Sequence, residues 1–383
     1  MKKIIILMCL IILVTVNISY AEEVDTQEVI ESQKESFGIS DFLTESEKYS
    51  GDFFEDIDIK ETLDNAISGN VNNNNILKKV ISLVTLNIKT TIKSLVSILV
   101  IVVIHSILKN ISDNLQNSNV SQVIYYVQYI LIVTIIMSNF SNIINLVKDT
   151  SQNLVGFINL LVPLLINLMI YTGNITTGGV LEPIILFTIN FIANAINNIL
   201  IPIVLIATAL SIISKVSDKV QINKLSEFFK SSVVCFLGIA LTLFVAIISL
   251  EGTLSSSVDG ITSKTTKAVV TNAIPVVGKI LGDAVDTVLG CGVILKNAIG
   301  IVGVIIIIGI CISPIIKLAT LTIIYNLASA VIQPIADDKI VKLLGEMGGI
   351  FKLLLAILCS ISVMLIIGVT LVVKISNSGM MYR

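Results

Sequence analysis

Charge is scarce in this chain. Asp, Glu, Lys and Arg make up 14% of its 383 residues, against about 25% in an ordinary soluble domain. Histidine is nearly absent: His105 stands alone within an apolar stretch. One histidine cannot build a metal cluster or supply a general base with its orienting partner, so His105 reads as a helix-packing residue. Of the cysteines, Cys9 sits in the N-terminal apolar segment, Cys235, Cys311 and Cys359 lie inside apolar runs, and Cys291 flanks a glycine turn. With no CxxC spacing and no exported pair, neither a disulfide framework nor a zinc site is expected. Walker-type phosphate loops, GxSxG and HExxH are missing as well. No enzyme, metal or cofactor is therefore expected, and without a clustered basic face no nucleic-acid partner either.

Long apolar runs are what the chain does have. Hydrophobic residues reach 54% and the mean hydropathy is +0.95. The runs fall near 86–108, 123–147, 154–171, 184–213, 233–250, 268–289, 297–334 and 351–373. A bilayer core needs roughly 20 apolar residues per helix, and Ile, Leu and Val cover all faces without strand-like alternation. The expected fold is an all-α polytopic membrane protein of about six to eight transmembrane helices, with the lipid bilayer as its medium.

The ends differ from the body. Lys2 and Lys3, the apolar stretch Ile4 to Val16 and Ser19-Tyr20-Ala21 together read as a signal peptide over residues 1–21,; an uncleaved anchor is the competing reading. Residues 22–80 form an exported acidic, partly disordered arm carrying Phe37, Phe42, Tyr49, Phe53 and Phe54, followed by the hinge Asn72 to Asn75. Either the arm is a solvated linker, or its aromatics order on a partner. Beyond it the organisation reads as a first helix pair (86–147), a membrane repeat (154–250), a second repeat (268–373) and a tail (374–383).

The positive-inside tendency tests the span count. Were every run a crossing, Lys215, Lys219, Lys224 and Lys230 would face outside. Treating 154–171 and 268–289 as re-entrant or broken segments places 109–122, 214–232 and 335–350 inside and gives six full spans; eight simple spans are the alternative. A weak internal duplication agrees: Pro163 and Pro202, like Pro275 and Pro314, are separated by the same interval, and paired proline- and glycine-broken segments are a common transporter layout. The expected breaks or hinges are Pro163, Gly173, Gly178, Gly179, Pro202, Pro275, Gly290, Gly292 and Pro314.

The candidate polar path through the membrane comprises Asp283, Asp286, Asn190, Asn194 and Asn197. The two aspartates are three apart and share a helix face. A carboxylate in lipid requires water, a cation or a partner, so they either line a passage or are hydrated at the interface. The asparagines, with Asn198, form a stripe that serves as packing glue or as pore lining. Gly300 and Gly303 allow close helix approach.

From about residue 154 onward the chain resembles the stage III sporulation protein AE family. The resemblance rests on Gly156 through Pro163, Thr172-Gly173-Asn174-Ile175-Thr176 with Leu181-Glu182-Pro183, and Ser217-Asp218-Lys219. It continues in Ile274-Pro275-Val276-Val277-Gly278, Asp283 through Gly290, Leu295 through Gly300, Ile332-Gln333-Pro334-Ile335-Ala336-Asp337 and Met380-Met381-Tyr382-Arg383. It implies a subunit of a feeding-tube-like channel complex in the mother-cell membrane around the forespore, required for late forespore development. Other stage III sporulation membrane proteins and an associated ATPase are the partners it implies. It implies no catalytic residue. An independent secondary transporter with a duplicated core, and a membrane scaffold for exported partners, are the competing functions.

Overall fold

The computed structural model describes residues 26–50, 58–69, parts of 81–107, 118–216, 222–273 and 277–380. The signal segment, the asparagine hinge, His105 and Pro275 lie outside the described residues, as does the side chain of Asp283. Among the described residues the structure is helical, with no strand. Three short helices come from the arm: α1 (Thr26–Ser36), α2 (Ile39–Ser50) and α3 (Ile59–Ile67). Long helices follow: α4 (Ser118–Tyr171), α5 (Ile175–Ala195), a π turn (Ile196–Leu200), α6 (Ile201–Val216), α7 (Asn223–Ala273), α8 (Val277–Ile332) and α9 (Asp338–Met380). Five stretches among the described residues are long and apolar enough to cross a membrane: Tyr129–Tyr171, Ile175–Lys215, Asn223–Gly252, Val285–Ile332 and Asp338–Ile375.

Of the two segments read as re-entrant or broken, 154–171 is helical throughout, whereas 268–289 spans the end of α7 at Ala273 and the start of α8 at Val277, with 274–276 outside the described residues. Residues 154–171 continue α4, and 277–289 open α8, which runs unbroken to Ile332. Pro163 and Pro314 lie inside their helices, each removing only one ladder hydrogen bond, a loss transmembrane helices tolerate. Gly178, Gly179, Gly290 and Gly292 are likewise helical. The two proline intervals also differ in course: a chain reversal lies between Pro163 and Pro202, whereas 277–314 is helical throughout.

The reversal at 172–174 has a clear local cause. Gly173 adopts φ +92°, a left-handed conformation that only glycine enters without strain. Asn174 N–H donates to Met169 O (3.0 Å) and Gly173 N–H to Ile170 O (2.9 Å), the paired bonds that close a helix C-terminus. Pro202, without an N–H, explains the π turn just before it: Ile201 N–H reaches back five residues to Ile196 O, so the ladder slips by one residue.

α9 is the centre of the bundle, packing on α8, α7, α6 and α4. Leu354, Leu358, Leu365, Ile357 and Phe351 on it are buried, with Tyr325 and Phe351 ring centroids 5.0 Å apart. Gly300 and Gly303 do permit close approach: a Cβ there would lie 2.5 Å from Val373 Cγ2 and 2.6 Å from Leu161 Cδ2.

Candidate functional site

The helix contacts sort the molecule into two ends. At one, the α4–α5 turn meets α7 and the arm. At the other, Lys215 and Lys230 both pair with Glu346 (4.0 Å for Lys215), and Ser211 Oγ lies 2.7 Å from Ser226 Oγ. This lysine-rich end joins α6, α7 and α9. Lys224, Lys339 and Lys342 belong to the same helix ends.

Between the ends, uncharged windows stand side by side. α7 has none of the four charged types from 231 to 250, between Lys230 and Glu251; α8 has none from 297 to 316, and α9 none from 353 to 373. Gly252 against Ile375 and Gly368 against Phe244 align α7 with α9, and Gly300 against Val373 aligns α8 with α9. A 20-residue helical window is about 30 Å long, the thickness of a hydrocarbon core. α7 is the lipid-facing member, with Val234, Ile239, Leu243 and Ile247 exposed.

Two contacts set the depth of α5 and α6 against that layer. Asp259 on α7 accepts from Thr176 N–H (2.9 Å) and Thr177 N–H (2.8 Å), and Ser226 Oγ donates to Ala207 O (2.9 Å). The 231–250 window therefore lies beside roughly 185–203 of the antiparallel neighbour, at 1.5 Å per residue. Asn190, Asn194, Asn197 and Asn198 all fall within that depth.

Their individual settings differ. Asn190 Nδ2 donates to Asn159 Oδ1 on α4 (3.1 Å) and to Leu186 O (2.7 Å). Asn198 Nδ2 donates to Asn194 Oδ1, and both residues are exposed. Asn197 lies in the π turn with its Oδ1 buried and without a hydrogen bond. Asp286 stands exposed near the start of α8. α5 packs on α4, α7 and, less closely, α9, whereas α8 packs on α9, α4, α7 and the arm. Asn190 and Asn194 thus lie on α5, Asn197 in the π turn and Asp286 on α8, with the side chain of Asp283 outside the described residues. No group of three metal-ligating side chains occurs among the described residues.

The sequence concealed two buried charges. Asp259 is 3% exposed and supplies the N-terminal cap of α5 that Asn174 does not provide. Burial raises its pKa, but hydrogen bonds from Thr177 and Thr176 outweigh that and lower it overall. Its setting, SSSVDGITS, resembles a polar loop in one dimension. Lys296, on α8 just before its uncharged window, is fully buried.

The arm is ordered on this chain's own helices. Gln33 Nε2 donates to Val288 O (2.9 Å). Phe37 meets Tyr171 edge-on at 5.2 Å, and Phe42 lies 6.3 Å from Phe157. The Tyr49 ring fills the space where a Cβ on Gly156 would stand. Lys34 ties α1 to α3 through Asp64 (2.9 Å).

With the geometry established, comparison with known proteins is direct. The family model described as Stage III sporulation protein AE (spore_III_AE) matches residues 57–376. The chain belongs to the stage III sporulation protein AE family. A relative named Stage III sporulation protein AE from Bacillus subtilis (strain 168) is 31% identical over 273 residues, covering 71% of this chain and 68% of the relative. No solved structure matches. The family match begins within the arm, just before α3, and ends within α9, so it takes in all five apolar helices.

Proposed function

We propose that this AE-family protein is an integral membrane subunit of a sporulation channel complex between mother cell and forespore, required for late forespore development. It works through packing and a water-facing flank rather than covalent chemistry. Its partners are other stage III sporulation membrane proteins and their associated ATPase, in the mother-cell membrane around the forespore, with the acidic arm extracytoplasmic and the lysine-rich end cytoplasmic.

The observation that carries this reading is where the arm sits. Asn159 is level with Asn190 through their hydrogen bond, and Gly156, where Tyr49 docks, lies three residues deeper. Helix α2, with Asp41, Glu45 and Glu47 exposed, therefore descends about 10 Å below the edge of the uncharged layer, counted along α4. Exposed carboxylates at that depth require water. One flank of the bundle thus faces an aqueous space while α7 faces lipid, as a subunit bordering a conduit would. A lone carrier would enclose its path within one chain.

Affinity purification from sporulating cells tests this. The tagged full chain is expected to bring down other sporulation membrane proteins, and deletion of residues 26–67 to leave the chain in the membrane while reducing late forespore gene expression. Isolation as a single active carrier would overturn it.

A further inference from the structure

Asn194 on α5 and Asn198 in the π turn stand exposed in the uncharged layer, with no hydrogen bond to another helix among the described residues, whereas Asn190 is held by Asn159 on α4. Phe187 and Phe191 are 73% and 58% exposed and stack at 6.2 Å; Asn190, Asn194 and Asn198 follow at four-residue steps, on the same side of the helix. Apolar side chains there suit lipid. Carboxamides do not, because hydrocarbon offers no hydrogen-bonding partner. The depth does not hinge on a chosen bilayer position, since every 20-residue window of Ile175–Lys215 contains at least two of Asn190, Asn194, Asn197 and Asn198.

We infer that this face is the contact between two copies of this chain, paired through Asn194 and Asn198 with Phe187 and Phe191 packed around them. The hydrogen-bond inventory identifies the occupant. The Asn198-to-Asn194 bond uses one carboxamide donor and one acceptor, leaving Asn194 Nδ2 and Asn198 Oδ1 exposed without a partner among the described residues. Exchanging N and O in both amides would likewise leave one donor group and one acceptor. A surface offering one of each is its own complement about a twofold axis, the symmetry of most homodimers. A single helix with only donors or only acceptors would satisfy half of it, and an acyl chain none. Both the arm and α5 pack on α4, the arm at Gly156 and Phe157 and α5 through the Asn159–Asn190 hydrogen bond. The inference needs α5 to be in lipid and does not need the sporulation role, so failure of one leaves the other standing.

Disulfide trapping of the purified full chain tests it. With Cys235, the exposed native cysteine on α7, changed to Ser, Phe191→Cys is introduced and the protein reconstituted in phosphatidylcholine–phosphatidylglycerol vesicles. Copper–phenanthroline is expected to yield a covalent homodimer that persists on lipid dilution, whereas Leu243→Cys on α7 yields only the collisional background. Adding Asn194→Leu and Asn198→Leu to Phe191→Cys is expected to lower dimer yield about fivefold, the scale of losing interhelical hydrogen bonds in lipid. Trapping at position 191 no better than at 243 overturns the inference, and that comparison needs no asparagine change. So does undiminished trapping in the double leucine variant, or a chain that stays monomeric when pure while position 191 is captured by a different membrane protein in native membranes.

Discussion

Two residues hold the α4–α5 reversal, and each makes a separable prediction. Gly173 at φ +92° has no equivalent among L-residues, so Gly173→Ala should cost about 1–2 kcal/mol, the usual price of left-handed backbone, read as a lower thermal midpoint in detergent. Asp259 acts through charge: its carboxylate meets the N–H groups and positive dipole end of α5,. Asp259→Ala should cost about 1–2 kcal/mol at neutral pH, as lost helix caps do. Because folding lowers the pKa of Asp259, its contribution is complete above the unfolded value of about 3.9 and fades as pH falls through the lower folded value. The stability gap between wild type and Asp259→Ala should hold steady from pH 5 to 8 and narrow below pH 4. A gap of equal size at pH 3 would mean that the side chain acts through packing alone.

Among elements, the arm and the long helices show what one dimension conceals. The apolar runs, the all-helical class and the tolerance of Gly300 and Gly303 for close neighbours were legible, because each follows from composition or side-chain size. Helix continuity was not. Lys148 to Asn153 resemble an inter-helix loop, yet Lys and Gln are good helix formers and Thr150 and Ser151 are buried, so α4 runs straight through. The docking of Phe37, Phe42 and Tyr49 on α4 was equally hidden, because spacing shows that an aromatic needs a surface without saying whose. Phe42 is 4% exposed, so Phe42→Ala should cost the arm about 3 kcal/mol of docking energy. Trypsin should then cut faster after Lys34 and Lys48, with cleavage after Lys224 unchanged. On α8, Gly300→Leu would drive a side chain into Val373; a loss of about 1–3 kcal/mol, typical of overpacking, should appear as a lower unfolding temperature.

For the whole molecule the decisive quantity is which end faces which compartment. The helices are long: Tyr129–Tyr171 has 43 residues, about 65 Å at 1.5 Å per residue, twice a hydrocarbon core. Length alone therefore leaves the layer free to slide, and the three uncharged windows favour one position for it. The arm packs towards one end of these windows and Lys215, Lys224, Lys230 and Lys342 lie at the other, and the proposed topology puts the lysine end in the cytoplasm, as the positive-inside tendency favours. In a Cys235→Ser background, Ser40→Cys in α2 and Lys224→Cys at the start of α7 report on the two ends, since both positions are exposed. A membrane-impermeant maleimide applied to intact cells before engulfment should label Ser40→Cys and spare Lys224→Cys, and lysis should make both reactive. Labelling of both before lysis would put the arm and the start of α7 on one side of the membrane and overturn the two-ended arrangement. Labelling of Lys224→Cys alone would keep the helices and invert the protein, leaving the acidic arm in the cytoplasm, where it could not border a space between two cells.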